Sequence, residues 1–259
     1  MAKNLHQGHY GGRSGAVPDS IVVVSYNIEY ADDIDGAIAD LGGDPQLAAA
    51  DILLLQEMDA DGTERLARTL GCNYVYWPAF VHRHHGRVFG TAVLSRWPIV
   101  GQDAVVLPHA NPVDGHRRLA AAADIVIDNR VLRAVSVHLS TVVVDLEKRL
   151  QQIDVIIDSL QTVAGPVIIG GDFNSATDYE GTLFRRSMRK AGYREARLPA
   201  GRTASGGPLD WVGYDFVLDY IFSRDLQALE TGIVRSTTAS DHYPVWAVFR
   251  WPPQGDGAR

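Results

Sequence analysis

Short runs of apolar residues, bounded by glycine and polar residues, recur along the chain. Residues 167–169 form one such run, two glycines end it, and Asp172 and Asn174 follow. A run of this length bounded by glycine predicts a buried strand. Because side chains at i and i+2 of a strand share one side, we expect a carboxylate and an amide to point at one place. The alternative is a turn that closes a hairpin, since Gly, Asp and Asn all favour turns.

The same arrangement recurs at other predicted strands, which lie at residues 21–26, 51–55, 131–137, 217–222 and 245–250. The polar side chains in or beside them are Asn27, Glu29, Glu57, His138, Asp219, Asp241 and His242. Each of these residues also has an explanation without a functional role: a Glu at a strand end is usually solvated, and a His there is often a hydrogen-bonded core residue. A carboxylate inside an apolar strand, such as Asp219, is costly to bury without a partner. Since the pattern occurs at six strands of one chain, we expect these side chains to meet at one polar site.

The remaining patterns predict one large domain of the α/β class. Residues 36–50, 62–70, 145–162 and 179–190 favour helices, and residues 74–77, 90–94 and 119–127 favour strands. The chain has 259 residues, which is enough for a substantial core, and it shows no internal linker or repeat. We therefore predict a disordered tail at residues 1–20, a single domain at residues 21–250 and a mobile tail at residues 251–259.

The composition excludes several classes of protein. Cys72 is the only cysteine, so the chain has no internal disulfide and no sign of an oxidising compartment. Residues 1–20 lack the apolar core of a signal peptide, and no run approaches the ~18 apolar residues of a membrane span. The net charge of −7 gives no general attraction to nucleic acid, although a local basic patch is compatible with it. We expect a cytoplasmic protein with no stable membrane insertion.

Two further segments are candidate parts of a binding site. His82, His84 and His85 suggest a metal, but their spacing matches no standard tetrahedral site. We therefore interpret them as an exposed loop that lines the mouth of a substrate site. Residues 194–215 predict a long irregular loop, and loops of this length often bind ligands.

The ordered motifs SYNIE, LLLQE, GTAVLSRWPI, SVHLS, IIGGDFNS, LDYIF and SDHYPV closely resemble those of the endonuclease/exonuclease/phosphatase superfamily. This group includes pancreatic-type deoxyribonucleases, apurinic endonucleases, neutral sphingomyelinases and inositol polyphosphate 5-phosphatases. The resemblance covers almost the whole chain, and the order and spacing of the motifs make it specific. It implies a four-layer α/β sandwich, in which two mixed β-sheets pack face to face with helices outside.

The resemblance also implies hydrolysis of a phosphate ester with Mg²⁺ or Mn²⁺, hard cations that prefer oxygen ligands. By motif, Glu57 matches the family's principal metal ligand. Asn27 matches the asparagine beside the metal and the phosphate, and Asp241 matches an acid near the metal. Glu29 occupies a position where some members place a further acid.

The other motif residues are expected to act on the phosphate and on water. Asp172 matches the residue that orients or deprotonates the attacking water, and Asn174 helps to hold the phosphate. His242 contacts the phosphoryl oxygens or serves as acid or base, and Asp219 orients it. His138 is a second donor to the phosphate.

Two arginines are candidates for an additional contact with the substrate. Arg117 and Arg118 stand before the strand predicted at residues 119–127. Either could add a guanidinium clamp on the phosphate. The alternative is that both arginines lie at a solvent-exposed strand edge and do not contact the substrate.

The motifs leave the substrate open. The His-Leu-Ser segment is more similar to the lipid-phosphodiesterase, deadenylase and tyrosyl-DNA-phosphodiesterase branches than to the apurinic endonucleases. We expect a phosphodiesterase or phosphatase that acts on a small molecule or on a nucleic-acid end. The alternatives are a DNA or RNA nuclease, a sugar- or lipid-phosphate phosphatase, and a non-catalytic binding module on the same fold. The presence of Glu57, Asp172 and His242 argues against the last.

Overall fold

The computed structural model describes residues 5–15, 18–82, 85–205 and 216–252. The strands are β1 (His6–Gly8), β2 (Ser20–Asn27), β3 (Ile52–Met58), β4 (Asn73–Val81), β5 (Val88–Ser95), β6 (Ile99–Val106), β7 (Leu119–Ile127), β8 (Arg130–His138), β9 (Val167–Asp172), β10 (Arg194–Glu195), β11 (Asp219–Arg224), β12 (Gln227–Ile233) and β13 (Val245–Arg250). The helices are α1 (Ile34–Gly43), α2 (Pro45–Ala48), α3 (Ala60–Leu70), α4 (Leu146–Ser159) and α5 (Asp178–Lys190).

In the described part of the chain, the strands pair into two mixed sheets. One sheet has seven strands in the order β1-β4-β5-β3-β2-β13-β12, and the other has six in the order β10-β11-β9-β8-β7-β6. The β2/β3 and β8/β9 pairs are parallel, and the remaining neighbours are antiparallel. The sequence runs from β2 to β3 through α1 and α2, and from β8 to β9 through α4, as parallel pairs require.

The two sheets pack face to face. Ile52 and Leu54 of the first sheet share a buried cluster with Leu132 and Ile168 of the second. Strands that are covered on both faces contain continuous apolar runs rather than alternating ones, which explains the runs in β3 and β9. This inter-sheet layer is the centre of the core.

Helices cover the outer faces of both sheets. Leu41, Leu47 and Leu66, from α1, α2 and α3, pack on the first sheet. Ile153 of α4 and Phe184 of α5 pack on the second. The order of layers is helix, sheet, sheet, helix, so the predicted four-layer α/β sandwich is confirmed. In the described ranges, no helix combines the length and the apolar composition needed to cross a bilayer.

Both predicted tails are partly ordered, contrary to the sequence prediction. Within residues 1–20, β1 pairs with β4, and the Gly11 N–H donates to Asn73 Oδ1 at 3.1 Å. At the other end, Trp251 is 6% exposed and packs in the inter-sheet cluster. The predicted tail at residues 251–259 therefore does not include Trp251.

Some elements differ from their predicted bounds. β3 continues to Met58, so Glu57 lies inside a strand rather than after it. The helical stretch predicted at residues 36–50 is divided at Asp44, whose side chain caps α2. β6 and β12 were not predicted, because their many exposed residues hide the apolar pattern of a strand. The predicted loop at residues 194–215 begins with β10, and its residues 206–215 lie outside the described ranges.

Candidate active site

Three neighbouring strands of the second sheet place His138, Asp172 and Asp219 side by side. In the sheet register, Asp172 at the end of β9 pairs with His138 of β8 and with Asp219 of β11. All three are buried, with at most 3% exposed. Asn27 ends β2 of the first sheet, and its Nδ2 donates to Asp172 Oδ2 at 3.2 Å. The ends of the two sheets therefore meet at the Asp172 carboxylate.

The loop after β9 holds this carboxylate from the other side. The backbone N–H of Asn174 donates to Asp172 Oδ1 at 2.8 Å, and Asn174 Nδ2 donates to Asp172 Oδ2 at 3.2 Å and to the Leu139 carbonyl at 3.0 Å. Asn174 has a φ of 51°, a left-handed conformation in which non-glycine residues are uncommon. The structure therefore brings Asp172 and Asn174 together through a turn that follows the strand, and not through alternation along the strand.

Gly171 lets the β9 backbone approach β8 closely. Its φ is 152°, and a Cβ built there would lie 1.9 Å from the Val137 carbonyl oxygen. Any side chain would separate the two strands where they present His138 and Asp172. The second glycine of the Gly-Gly pair is therefore a geometric requirement of the site.

A β-bulge directs Glu57 toward the same point. The pairing of β3 with β5 shifts between Leu55 and Met58, and Glu57 has a φ of 56°. Such strained backbone concentrates at functional sites. Glu57 Oε2 accepts the Tyr30 N–H at 3.1 Å, and Glu57 Oε1 lies 3.8 Å from His138 Nε2. Sequence reasoning identified Glu57 but missed the bulge, for which the sequence carries no glycine signal.

Asp219 and His242 form a buried pair. Asp219 Oδ2 lies 2.9 Å from His242 Nδ1, and His242 Nε2 lies 3.8 Å from Asp172 Oδ2. Burial disfavours the imidazolium, but the Asp219 and Asp172 carboxylates outweigh it and raise the pKa of His242 to about 10. This raised pKa favours the protonated imidazole at neutral pH, with its Nδ1 facing Asp219 Oδ2.

Two hydroxyl groups hold the backbone around this pair. Ser240 Oγ accepts the His242 N–H at 3.0 Å and donates to the Asn27 carbonyl at 2.7 Å. Thr203 Oγ1 accepts the Asp219 N–H at 3.1 Å. Sequence reasoning assigned neither residue a role at the site, because a hydroxyl that supports backbone has no motif of its own.

Arg118 determines which nitrogen of His138 carries the proton. Arg118 Nη1 lies 3.3 Å from His138 Nδ1. A guanidinium can only donate, so Nδ1 is the acceptor and the proton lies on Nε2. That Nε2 faces Asp172 Oδ2 at 3.4 Å. Burial, together with the positive charges of Arg118 and His242, holds the pKa of His138 well below its usual value, so His138 is a neutral donor.

The other predicted residues lie at the rim of the site. The Asp241 N–H donates to Glu29 Oε2 at 2.9 Å, and the Asp241 side chain is exposed. Arg117 is also exposed and has no hydrogen bond or ion pair among the described residues. Of the two arginines, Arg118 is therefore the one that reaches the buried groups.

Burial is the largest influence on the pKa values of the site carboxyl groups. Burial raises the pKa of Glu57, and burial followed by the charges of Asp219 and Glu57 raises the pKa of Asp172, against the opposing charge of His242. Asp219 Oδ1 is buried without a hydrogen-bond partner in the described residues. Ligand atoms of Asp172, Asp219 and His242 all lie within 4.8 Å of one another. The carboxylates of Asp172 and Asp219 suit a hard divalent cation, whereas His242 cannot be a ligand while both of its ring nitrogens carry protons.

The predicted histidine loop makes aromatic contacts beside the site. His82 and His85 lie against the ring of Tyr30, with centroids 4.6 and 4.8 Å away, and both also contact Phe89. Tyr30 is the residue whose N–H donates to Glu57. The described histidines of the loop thus neighbour the site, and His84 lies outside the described residues.

Comparison with protein families and curated sequences gives two findings. A model of the Endonuclease/Exonuclease/phosphatase family matches residues 24–242. A UPF0294 protein of Vibrio cholerae is 32% identical over 126 residues, which are 48% of this chain and 41% of that protein. The chain spans less than half the length of the curated relatives that it matches.

Solved structures share the fold over most of the chain. An endonuclease/exonuclease/phosphatase from Beutenbergia cavernae is 21% identical, with a TM-score of 0.71, over 90% of this chain and 72% of that one. TDP2 of D. rerio, complexed with a single-strand DNA product, is 16% identical, with a TM-score of 0.65, over 90% and 100%. The human Nocturnin catalytic domain, with a bound sulfate anion, is 17% identical, with a TM-score of 0.68, over 96% and 97%.

Proposed function

Because the chain belongs to the endonuclease/exonuclease/phosphatase family, whose members are metal-dependent phosphoesterases and nucleases, we propose that it hydrolyses phosphodiesters with Mg²⁺ or Mn²⁺. The observation that carries the proposal is the convergence on the buried Asp172 carboxylate. Asn27 and Asn174 donate to it, and the ring nitrogens of His138 and His242 lie 3.4 and 3.8 Å away.

Asp172 is the candidate general base. Burial raises the pKa of this carboxyl to about 7, which brings it near the pH at which a base works best. The two asparagines and the Asn174 backbone fix its orientation, so that it can accept a proton from a water aligned with the phosphorus. Asn174 acts here by holding Asp172 rather than the phosphate, because its amide hydrogens already bond to Leu139 and Asp172 and its amide oxygen can only accept.

The two histidines have different tasks in this proposal. His242 is an imidazolium supported by Asp219, so it places a full positive charge beside the phosphoryl oxygens. His138 is a neutral donor whose Nε2–H points into the site. A divalent ion held by Glu57, with Asn27 and Asp241 near it, would neutralise charge on the phosphate and act as a Lewis acid.

Electrostatics support a diester over a monoester. A phosphate monoester carries close to two negative charges at pH 7, because its second pKa is near 6, whereas a diester carries one. Before a metal ion binds, the site contains three buried carboxyl groups, those of Glu57, Asp172 and Asp219, and among the described residues only two cations face them, His242 and Arg118. A singly charged diester is therefore repelled less. The complex of TDP2 with a DNA product supports the same choice by analogy.

The test is hydrolysis of bis(p-nitrophenyl) phosphate and p-nitrophenyl phosphate with Mg²⁺, Mn²⁺ or EDTA. We expect metal-dependent turnover of the diester and a loss of about 10²–10⁴-fold in Asp172→Asn and His242→Gln. Asp61→Asn is a matched control, because it removes an exposed carboxylate on α3. Turnover that survives EDTA and both site variants would refute the assignment. Preference for the monoester would show a phosphatase instead.

A further inference from the structure

Positive charge is concentrated in one segment of this acidic chain. Residues 185–202 contain seven arginines and lysines and one glutamate, a net charge of +6. The whole chain carries −7, so the remaining residues carry −13. The segment comprises the second half of α5, β10 and the residues after it. This segment is therefore strongly basic, in contrast to the chain as a whole.

Within this segment lies a cleft of about 370 Å³ between α5 and residues 197–201. Arg185 ion-pairs with Glu195 at 3.0 Å and lies over the Tyr220 ring. Arg189 and Arg197 also line the cleft, are exposed, and have no side-chain ion pair among the described residues. The cleft thus offers two uncompensated guanidinium groups, which suit phosphate oxygens.

Two walls of the cleft are in contact with segments of the candidate active site. Val217 lines the cleft, and its carbonyl accepts a hydrogen bond of 2.6 Å from Ser175, the residue after Asn174. On the other wall, Gly201 precedes Thr203 by two residues, and the Thr203 hydroxyl accepts the Asp219 N–H. Lining residues of the cleft are therefore close to the loop that follows β9 and to Asp219, so the cleft lies next to the candidate active site.

An exposed aromatic side chain lies one helical turn before a residue that lines the cleft, Thr182. Tyr179, in the first turn of α5, is 67% exposed. Thr182 and Arg186 follow it at i+3 and i+7, positions that share one face of a helix. A basic groove with an aromatic platform is the combination that binds single-stranded nucleic acid without sequence preference. The volume of the cleft is that of a small-ligand pocket, which favours a single strand over a duplex.

We propose that this arginine-lined cleft binds the phosphate backbone of a single-stranded oligonucleotide whose scissile phosphate lies at Asp172. The proposal rests on the proposed phosphodiesterase function and adds a substrate class to it. Arg189 and Arg197 hold phosphates beyond the scissile one, so longer strands bind more tightly than a dinucleotide. The acidic remainder of the surface disfavours other paths for the strand.

Binding is tested in EDTA, without turnover, by fluorescence anisotropy of a labelled 12-nucleotide oligothymidylate. We expect Arg189→Ala/Arg197→Ala to raise Kd at least about tenfold and to reduce the slope of log K against log salt by about 1.4, or ~0.7 for each contact to a single strand. The matched control is Arg65→Ala/Arg68→Ala, which removes two exposed arginines from α3 on the opposite outer layer. The lysine variant Arg189→Lys/Arg197→Lys should keep most of the affinity.

The comparison of Kd between the two double alanine variants tests whether the cleft is the binding site. Equal Kd values for the oligonucleotide in these two variants would overturn the proposal, as would a wild-type protein that does not bind the oligonucleotide. Arginine-dependent binding of phosphatidylglycerol vesicles without binding of the oligonucleotide would also overturn it, in favour of a lipid surface.

A kinetic measurement separates this proposal from the proposed function. In Arg189→Ala/Arg197→Ala, the loss of kcat/KM on the oligonucleotide should exceed the loss on bis(p-nitrophenyl) phosphate at least about tenfold. Equal losses on both substrates would overturn the cleft as a substrate site. If the wild-type protein binds the oligonucleotide through the two arginines but hydrolyses no ester, the hydrolase proposal fails and the binding site stands.

Discussion

Arg149 of α4 holds the loop that follows β9, and replacing it tests the contacts that position this loop. Its guanidinium is almost fully buried and forms a two-point ion pair with Glu180 of α5. It also donates to the Asn174 carbonyl at 2.7 Å and to the Val144 carbonyl at 3.1 Å. One buried side chain therefore links α4, α5 and the loop that orients Asp172.

The expected cost follows from what Arg149→Met would leave behind. Methionine keeps most of the apolar stem but removes the charge. The Glu180 side chain is 14% exposed and would lose its cation, although it would still accept the Ala176 N–H at 2.8 Å. Removal of one partner of a buried ion pair typically costs about 3–5 kcal/mol. Because Glu180 keeps one hydrogen bond, we expect the free energy of unfolding to fall by about 3 kcal/mol.

Urea unfolding of a double-mutant cycle measures this effect. Glu180→Gln removes the opposite charge, and the Arg149→Met/Glu180→Gln double variant contains no unpaired ion. We expect the double variant to be more stable than the sum of the single effects predicts, by about 1–3 kcal/mol. A loss below about 1 kcal/mol in Arg149→Met, or strictly additive effects, would contradict a stabilising buried ion pair between Arg149 and Glu180.

Three further perturbations have defined outcomes. The pKa of His242 is about 10, above the value of about 6.5 for an unfolded histidine. The contribution of its charge to the free energy of unfolding is therefore complete below about pH 6.5, declines as the pH rises and is lost once the pH passes 10. Urea unfolding at pH 6 and pH 10.5 should therefore show a smaller alkaline loss for Asp219→Asn than for the wild type, and equal losses would contradict the pairing. Gly171→Ala would drive a Cβ into the neighbouring carbonyl and should destabilise the fold by about 1–3 kcal/mol; an unchanged urea midpoint would contradict the close approach. Arg118→Met removes the donor to His138 Nδ1, so ¹⁵N NMR of the imidazole should show a mixture of tautomers, whereas an unchanged spectrum would show that Arg118 does not select the tautomer.

The core strands were predictable from the sequence, because each contains a continuous apolar run within its own residues. The apolar run at residues 245–250 coincides with β13, and residues 167–169 lie in β9. Burial on both faces makes such strands continuous apolar runs, which stand out without any knowledge of their neighbours. The ordered motifs identified the family, and the family match confirms that resemblance.

The elements that sequence reasoning missed depend on contacts distant in sequence. β6 and β12 lie at the edges of the sheets and expose many residues, so only their pairing with β7 and β13 defines them. β1 exists because it adds to β4, far along the chain. The strand propensity of these three segments predicts little, because pairing with a neighbouring strand decides their conformation.

The site was predictable in composition but not in geometry. Residue types and order pointed to Asp172, Asp219 and His242, whose ligand atoms lie within 4.8 Å of one another, because polar residues in or beside apolar runs stand out in a sequence. The bulge that turns Glu57 inward and the role of Arg118 on His138 required coordinates. Both depend on backbone conformation and on side chains that meet across the sheets, neither of which has a local sequence signal.

The most direct test of the central proposal is the rate of bis(p-nitrophenyl) phosphate hydrolysis as a function of Mg²⁺ concentration in the wild type and in Glu57→Gln. If Glu57 holds the activating ion, the wild type should show saturable activation. The variant should then need at least about tenfold more Mg²⁺ to reach half of its maximal rate. Identical metal dependence in both proteins, or a wild-type rate that EDTA does not change, would contradict a metal-dependent site at Glu57 and Asp172.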